Sequence, residues 1–281
     1  MSNDIFIVGH GSKSKKGQLQ LIQTVEMLSQ ALPTRRVTFG FLELATPDIA
    51  LALSAFVDSA SKGITVVPLV LLGAGHTKSD IAGAVEMARQ KYLEIEFSYG
   101  RDLGVSLKLN QAFYENAITS ADKNMQDAAI LLVGRGSSDP DANSDLFKAA
   151  RLMSEVYGVE NIEACFISLA RPSVPEALDR LTHFRPKRIL VIPYFLFAGV
   201  LVDRIHSQAR QWNIDNPTYD LFLANELGAS DVLVDIAIER VLEAEGKEVR
   251  MSCDRCIYRE RTNKFEHAHA TPINVSFPHQ H

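Results

Sequence analysis

Short apolar runs alternate with amphipathic segments along the chain. The run from Ile5 to Val8 is apolar at every position, which is typical of a strand buried on both faces of a parallel sheet. Apolar residues then recur at intervals of three and four from Leu21 to Leu32, which predicts a helix, and Pro33 ends it. Further strands are predicted over Val37 to Leu44, Ile64 to Leu72 and Ile95 to Ser98, with helices from Thr46-Pro47 and over Ser79 to Lys91. This alternation predicts a parallel sheet covered by helices.

The second half of the chain repeats the first. Residues 5–12, IFIVGHGS, return 125 positions later as residues 130–137, ILLVGRGS. Residues 41–47, FLELATP, return as residues 166–172, FISLARP, and residues 66–72 return as residues 191–197. Three matched blocks in the same order indicate an internal duplication. The predicted fold class is therefore α/β, with two similar tandem domains, each a parallel β-sheet flanked by helices, and an active site in the cleft between them.

The repeat also predicts the domain boundaries. Residues 1–122 form the predicted N-terminal domain and residues 123–246 the C-terminal domain, because a polar segment near residues 120–126 precedes the restart of the repeat. Apolar periodicity stops beyond residue 246, so residues 247–281 are predicted to be a flexible tail. The tail contains a Cys-x-x-Cys pair and four histidines that are candidate auxiliary metal ligands: Cys253, Cys256, His267, His269, His279 and His281. In a reducing compartment such a pair suggests metal or redox chemistry more than a disulfide, whereas Cys165 is predicted to be a buried thiol.

Composition limits the classes of function. Of 281 residues, 46% are hydrophobic and 22% are charged, and the net charge is -5. These values are normal for a soluble globular protein and argue against general nucleic-acid binding. The apolar stretch at Ile5 is too short for the core of a signal peptide, and Pro68, Gly73 and Gly75 interrupt the best candidate for a membrane span. We therefore expect a cytoplasmic protein without a nucleic-acid or membrane partner.

Three polar side chains follow strand ends in the first half. His10 comes after the first predicted strand, Glu43 ends the second, and His76 follows the third. In an open α/β sheet the carboxyl ends of the strands meet at one edge, where ligands bind, so we expect these side chains to lie together. Two imidazoles and a carboxylate suit Fe, Co, Ni or Zn. The second half has Arg135 and Ser168 at the positions of His10 and Glu43, so the predicted metal site belongs to the first half.

Other interpretations of the Gly-His-Gly turn at residues 9–11 have less support. Each of the three polar residues could be a hydrogen-bonded loop residue, although their joint position at strand ends favours a site. Phosphatases with a phosphoryl-transfer histidine present Arg-His-Gly, whereas Gly9 precedes His10 here. A P-loop requires Gly-x-x-x-x-Gly-Lys-Ser/Thr, and this turn lacks that spacing. The metal site is the interpretation that uses all three residues.

Three motifs together resemble a known family. They are Gly-His-Gly-Ser after the first strand, Phe-Leu-Glu with a proline four residues beyond the glutamate, and Pro-Leu followed by Gly-x-Gly-His and an aspartate. In this combination they resemble the class II chelatases of sirohydrochlorin, over roughly residues 1–245. The chain looks most similar to the long-form cobaltochelatase of anaerobic cobalamin synthesis. Residues 251–256 resemble the Met-x-Cys-x-x-Cys iron-sulfur motif that some long forms have beside a histidine-rich stretch.

The resemblance implies a lyase that inserts a divalent metal into a tetrapyrrole. His10 and His76 match the family's metal-binding positions and Glu43 is a third ligand or a proton acceptor, so these residues form the expected catalytic and metal site. The macrocycle is flat and carries many carboxylates, so its site is expected to be a broad cleft with apolar walls and basic rims. Arg135 is expected to pair with a substrate carboxylate. Further substrate-binding candidates are Ser12, Ser137, Arg171 and Lys13, with Arg204 and Lys78 as weaker ones.

The predicted function is that of a sirohydrochlorin cobaltochelatase, which inserts Co(II) into sirohydrochlorin with release of two protons. Fe(II), giving siroheme, is the alternative within the family, and Ni(II) is a further candidate metal, because the same ligands suit these ions. An alternative of another class is a non-catalytic metal-binding or storage protein that uses the histidine tail. A [4Fe-4S] cluster could bind at Cys253 and Cys256, but it usually takes four cysteines, so a second chain or other ligands would complete it. A monomer or a homodimer is expected.

Overall fold

Each half of the chain contains a four-stranded parallel sheet. The structure, a computed structural model, describes residues 3–57, 63–121 and 128–246, and at residues 76–78 the backbone alone. Within these residues the first sheet contains β1 (Asp4–Gly9), β2 (Val37–Phe41), β3 (Gly63–Leu69) and β4 (Glu96–Tyr99), in the order β2-β1-β3-β4. The second contains β5 (Ala129–Gly134), β6 (Ile162–Phe166), β7 (Arg188–Pro193) and β8 (Asp220–Leu223), in the order β6-β5-β7-β8. The predicted α/β class, with two similar parallel sheets, is confirmed.

Helices follow the strands in both halves. The first half has α1 (Lys15–Ala31), α2 (Ile49–Val57), a π-helix over His76–Ile81, α3 (Ala82–Lys91) and α4 (Leu107–Ala121). The second half has α5 (Pro140–Tyr157), α6 (Val174–Thr182), α7 (Val200–Asp215) and α8 (Asp231–Gly246). In the described ranges, every helix is too short or too polar to cross a bilayer.

The apolar side chains of the central strands are buried in two hydrophobic cores, one on each face of the sheet. In β1, Ile5 and Ile7 belong to a cluster with residues of α1 and α8. Phe6 and Val8 belong to a separate cluster with residues of α2 and α3. Because both faces are covered, the strand has no solvent side that would call for alternating polar residues. This burial explains why the strand is a continuous apolar run, whereas a half-exposed strand would alternate apolar and polar residues.

The last helix of each half packs on the sheet of the other half. Helix α4 contacts α5, β7 and β8, and α8 contacts α1, β3 and β4. In α4, Phe113 is buried in the same cluster as Leu132 and Ile192 of the second sheet. Leu233 of α8 is buried with Ile7 of the first sheet. The two halves therefore share their cores, and the division at residues 1–122 and 123–246 stays a proposal about the repeat unit.

Polar contacts hold α4 and α8 against the opposite halves. The buried Asn110 side chain of α4 donates to the Ala149 carbonyl at 3.0 Å and accepts from the Tyr194 hydroxyl at 3.0 Å. Burial raises the pKa of Tyr194, which keeps this hydroxyl protonated as a donor. On α8, the Glu243 carboxylate accepts from the Arg101 guanidinium at 3.0 Å. These contacts fix the two halves relative to one another, which matters because the candidate site lies between them.

The loop after β2 differs from the sequence prediction. The structure begins α2 at Ile49, not at Thr46-Pro47, and the Asp48 carboxylate caps it by accepting from the Leu51 amide at 2.9 Å. Residues 42–47 form a closed loop instead, because the Phe41 amide donates to the Pro47 carbonyl at 2.8 Å. The second half repeats this closure between residues 166 and 172, at 2.9 Å. Both loops contribute to a cleft between the two halves.

Candidate metal and substrate site

A cavity of about 860 Å³ lies between the carboxyl ends of the two sheets. Its lining comes from the segments that follow β1, β2 and β3 in the first half and β5, β6 and β7 in the second. Apolar side chains form much of the cavity wall, including Leu71, Leu72, Phe195, Leu196 and Phe197. The two edges at which an open α/β sheet binds ligands therefore face a common space.

Corresponding residues of the duplicated helices support the two sides of the cavity. The Gln18 amide donates to the Ser12 carbonyl at 2.7 Å, and the Asn143 amide donates to the Ser137 carbonyl at 2.8 Å. Gln18 and Asn143 are 125 positions apart, which is the offset of the repeat. These two amides hold the turns that carry residues 10 and 135. Sequence reasoning missed them, although carrying the repeat offset into α1 and α5 would have found the pair.

Close backbone packing brings the turn after β1 against the loop after β2. The Glu43 amide donates to the His10 carbonyl at 3.0 Å. Gly11 has a φ of +93°, and a Cβ at this position would lie 1.8 Å from the Glu43 carbonyl oxygen. A residue with a side chain therefore cannot occupy position 11 unless the two loops separate. The second half has the same arrangement: Gly136 has a φ of +85°, and a Cβ at this position would lie 1.8 Å from the Ser168 carbonyl oxygen.

These turns place an imidazole, a carboxylate and a guanidinium together. His10 Nε2 lies 3.5 Å from Glu43 Oε1, and Arg135 Nη1 donates to His10 Nε2 at 3.1 Å. Because a guanidinium has no acceptor, this hydrogen bond makes Nε2 the acceptor and leaves the ring proton of a neutral imidazole on Nδ1. The nitrogen that faces Glu43 and Arg135 therefore has a lone pair that can bind a metal. The equivalent residues 10 and 135 meet across the cleft.

His76 begins the π-helix that follows the 70–75 segment. Gly75 before it and Ser79 and Asp80 after it line the cavity, so its backbone lies at the rim. Short π-helical segments are frequent at functional sites. Among the side chains that the structure describes, His, Cys, Asp and Glu residues form no metal-binding group of three. His10 and Glu43 are the described members of the predicted set, and the His76 side chain lies outside the described atoms.

The other residues singled out in the sequence lie in different places. Ser12, Lys13 and Ser137 line the cavity, and the two serine hydroxyls accept from backbone amides two residues onward, each at 3.0 Å. Arg171 lies outside the cavity lining, where its guanidinium pairs with Glu176. Cys165 is buried, and burial raises the pKa of its thiol. The following predicted residues lie outside the described part of the chain: Cys253, Cys256, His267, His269, His279 and His281.

Known proteins share both the sequence and the fold. A sirohydrochlorin cobaltochelatase of Priestia megaterium is 33% identical over 91% of this chain and 84% of its own length. A sirohydrochlorin ferrochelatase of the same organism is 32% identical over 87% of this chain and 92% of its own length. The structure of SirB from Bacillus subtilis with Fe³⁺ has a TM-score of 0.78 and 30% identity, covering 88% of this chain and 98% of that one. SirB of Bacillus subtilis subspecies spizizenii in complex with cobalt has a TM-score of 0.75 and 31% identity, covering 88% and 97%.

The comparison with family models agrees with the duplication. The CbiX model matches residues 4–120 and matches again at residues 129–244. Each match contains one of the two parallel sheets described above. The chain therefore belongs to the CbiX family, with one copy of the family's unit in each half.

Proposed function

We propose that this chain inserts Co(II) into sirohydrochlorin and releases two protons. The observation that carries the proposal is the pair His10 and Glu43, with Nε2 and Oε1 3.5 Å apart, at a cavity of about 860 Å³ between two matched sheets. Similarity to a cobaltochelatase over 91% of the chain supports this reaction. Similarity to a ferrochelatase over 87% of the chain supports the same class of reaction with Fe(II) as the alternative metal.

The described side chains suit a metal that must be held and then released. A neutral imidazole and one carboxylate bind a divalent transition metal less firmly than a closed four-ligand site does. We propose His76 as the second imidazole of this set. Insertion removes two pyrrole protons as the ring nitrogens bind the metal. The Glu43 carboxylate, exposed to the cleft, is the proposed acceptor for one of these protons, and solvent in the open cleft takes the other.

Arg135 links the substrate to the metal site. In this structure the Arg135 guanidinium donates to His10 Nε2, the nitrogen that would bind the metal. Arg135 must therefore move away from His10 before a metal can bind to this nitrogen. A substrate carboxylate offers the guanidinium a stronger, charge-assisted partner. We therefore propose that Arg135 turns from His10 to the tetrapyrrole when the substrate binds, which frees the metal ligand when it is needed.

An Arg135→Met variant tests this role. The variant should bind metal-free sirohydrochlorin about tenfold more weakly, because a charge-assisted hydrogen bond is lost. It should bind Co(II) more tightly than the wild type when the tetrapyrrole is absent, because Nε2 of His10 no longer has a competing donor. Absorbance titrations measure both affinities. Arg151→Met is the matched control, since Arg151 pairs with Glu155 on the exposed side of α5, and it should leave both affinities unchanged.

The decisive test of function is a metal-insertion assay. Purified protein is mixed with sirohydrochlorin and with Co(II), Fe(II) or Ni(II), and insertion is followed by absorbance. We expect insertion well above the uncatalysed rate, with Co(II) the preferred ion. The same assay on a chain truncated after Gly246 separates this function from metal storage. A chelatase keeps its turnover without the tail, whereas a storage protein loses most of its metal capacity and accelerates no insertion.

Further proposals concern the tail and the assembly. The tail cysteines are proposed to bind a [4Fe-4S] cluster with ligands from elsewhere, and the tail histidines to bind auxiliary metal. We also propose a cytoplasmic protein that acts as a monomer or a homodimer, without a membrane or nucleic-acid partner. Metal analysis of the full-length and truncated chains, and mass measurement in solution, test these points separately.

A further inference from the structure

Two leucines at equivalent positions have an unusual backbone conformation. Leu44 and Leu169 each have a φ of 61°, in the left-handed region that L-residues with a large side chain rarely adopt. They lie 125 positions apart, at the same point of the two loops after β2 and β6. The other residue with a positive φ among the described non-glycine residues is Arg185. Glycine would occupy such a conformation without steric cost, so the leucine side chains require an explanation.

Both side chains are apolar and exposed at the same cavity. Leu44 is 53% exposed and Leu169 is 71% exposed, and both belong to the cavity lining. Within the part of the chain that the structure describes, an exposed leucine in a strained conformation gains neither core packing nor backbone relief. Its benefit is therefore expected from a contact that these described residues do not supply. Because both leucines line the cavity, we expect them to contact a molecule that binds there.

The duplication offers a further argument. Around these leucines the two copies have diverged in their polar chemistry, since Glu43 corresponds to Ser168 and Thr46 corresponds to Arg171. The leucine is unchanged in both copies. The residue before each leucine is bonded to the turn of the site, because the residue 43 amide donates to the His10 carbonyl and the residue 168 amide to the Arg135 carbonyl. Each leucine therefore has a fixed position relative to His10 or Arg135.

We propose that Leu44 and Leu169 are positioning residues that contact the flat apolar surface of the tetrapyrrole, one from each half of the protein. The inference rests on the proposed function. A conjugated macrocycle with carboxylates at its periphery has apolar faces, and covering them removes apolar surface of both partners from water. Contact from both halves fixes the tilt of the ring as well as its depth in the cleft. The pyrrole nitrogens are thereby held beside His10, while the peripheral carboxylates reach the basic groups at the rim.

Glycine substitutions separate this role from a structural one. Leu44→Gly and Leu169→Gly remove the side chain and also relieve the left-handed backbone, so neither variant should have a lower denaturation midpoint than the wild type. Each should raise the Kd of metal-free sirohydrochlorin about fivefold to tenfold, and the double variant should raise it further. In turnover, KM should rise more than kcat falls. Leu44→Met and Leu169→Met, which keep an apolar side chain of similar reach, should restore most of the affinity.

Arg185→Gly is the matched control, because Arg185 has a φ of 51° and lies outside the cavity lining. This substitution also relieves a left-handed backbone conformation, and it should leave the Kd of metal-free sirohydrochlorin unchanged. Co(II) binding without the tetrapyrrole should be unchanged in all of these variants. If the glycine variants of the two leucines bind sirohydrochlorin with the wild-type Kd, this inference is wrong but the proposed function still stands. A wild-type chain that binds no sirohydrochlorin would overturn the proposed function and this inference together.

Discussion

His10→Ala is expected to reduce the rate of metal insertion by roughly 10²- to 10³-fold, because it removes the nitrogen that we propose binds the metal before delivery. His10 Nε2 lies 3.5 Å from the Glu43 carboxylate and 3.1 Å from the Arg135 guanidinium. No other imidazole is described at this position of the cavity lining. His76→Ala is expected to have an effect of the same order. Initial rates measured by absorbance at saturating sirohydrochlorin, with Co(II) varied, check both variants.

The His10 variant should still fold and bind the tetrapyrrole. The hydrogen bonds that hold this turn use the His10 and Ser12 carbonyls, and alanine at position 10 keeps both. Apolar walls from both halves, not the imidazole, form most of the cavity surface. Sirohydrochlorin affinity without metal and the denaturation midpoint should therefore stay near their wild-type values. His183→Ala is the matched control and should insert metal normally, since this exposed histidine follows α6 and lies outside the cavity lining. Full activity in His10→Ala would remove this residue from the mechanism.

Much of the fold was predictable because its strongest signals are local and repeated. The run Ile5 to Val8 predicted a strand covered on both faces, and two separate clusters cover it. The block at residues 130–137 copies that run, and β5 occupies the same central position in its own sheet as β1. His10 and Glu43 were placed together by the rule that parallel strands end at one edge, and they lie together.

Other features depend on tertiary contacts that periodicity does not contain. An apolar stripe on α4 or α8 shows which face of the helix is buried, but it does not show which sheet covers that face. The exchange of these helices between halves was therefore not predicted. Likewise, Thr46-Pro47 has the residue types of a helix start, yet the bond from the Phe41 amide to the Pro47 carbonyl closes a loop there. That loop gives Leu44 its left-handed conformation at the cavity, and residue preferences alone would have assigned such a position to glycine.

Gly11→Ala tests whether close packing of two loops creates the proposed metal site. The new Cβ would lie 1.8 Å from the Glu43 carbonyl oxygen, and the φ of +93° is unfavourable for alanine. We expect the free energy of unfolding to fall by about 3 kcal/mol or more, because both loops must move. Gly83→Ala is the control for the substitution itself, since nothing lies within 4 Å of a Cβ there, and it should be neutral or slightly stabilising. Urea denaturation measures both changes.

The duplication supplies a second, sharper comparison. Gly136→Ala introduces the same contact, at 1.8 Å from the Ser168 carbonyl oxygen, so its cost in stability should be similar. The two variants should differ in Co(II) affinity, because only Gly11→Ala separates His10 from Glu43. We expect that affinity to fall at least about tenfold in Gly11→Ala, as when a metal ligand loses its orientation, and to change little in Gly136→Ala. Equal losses of Co(II) affinity in the two variants would mean that the first half holds no metal site of its own. Unequal losses at equal stability would assign metal capture to the half that has the histidines.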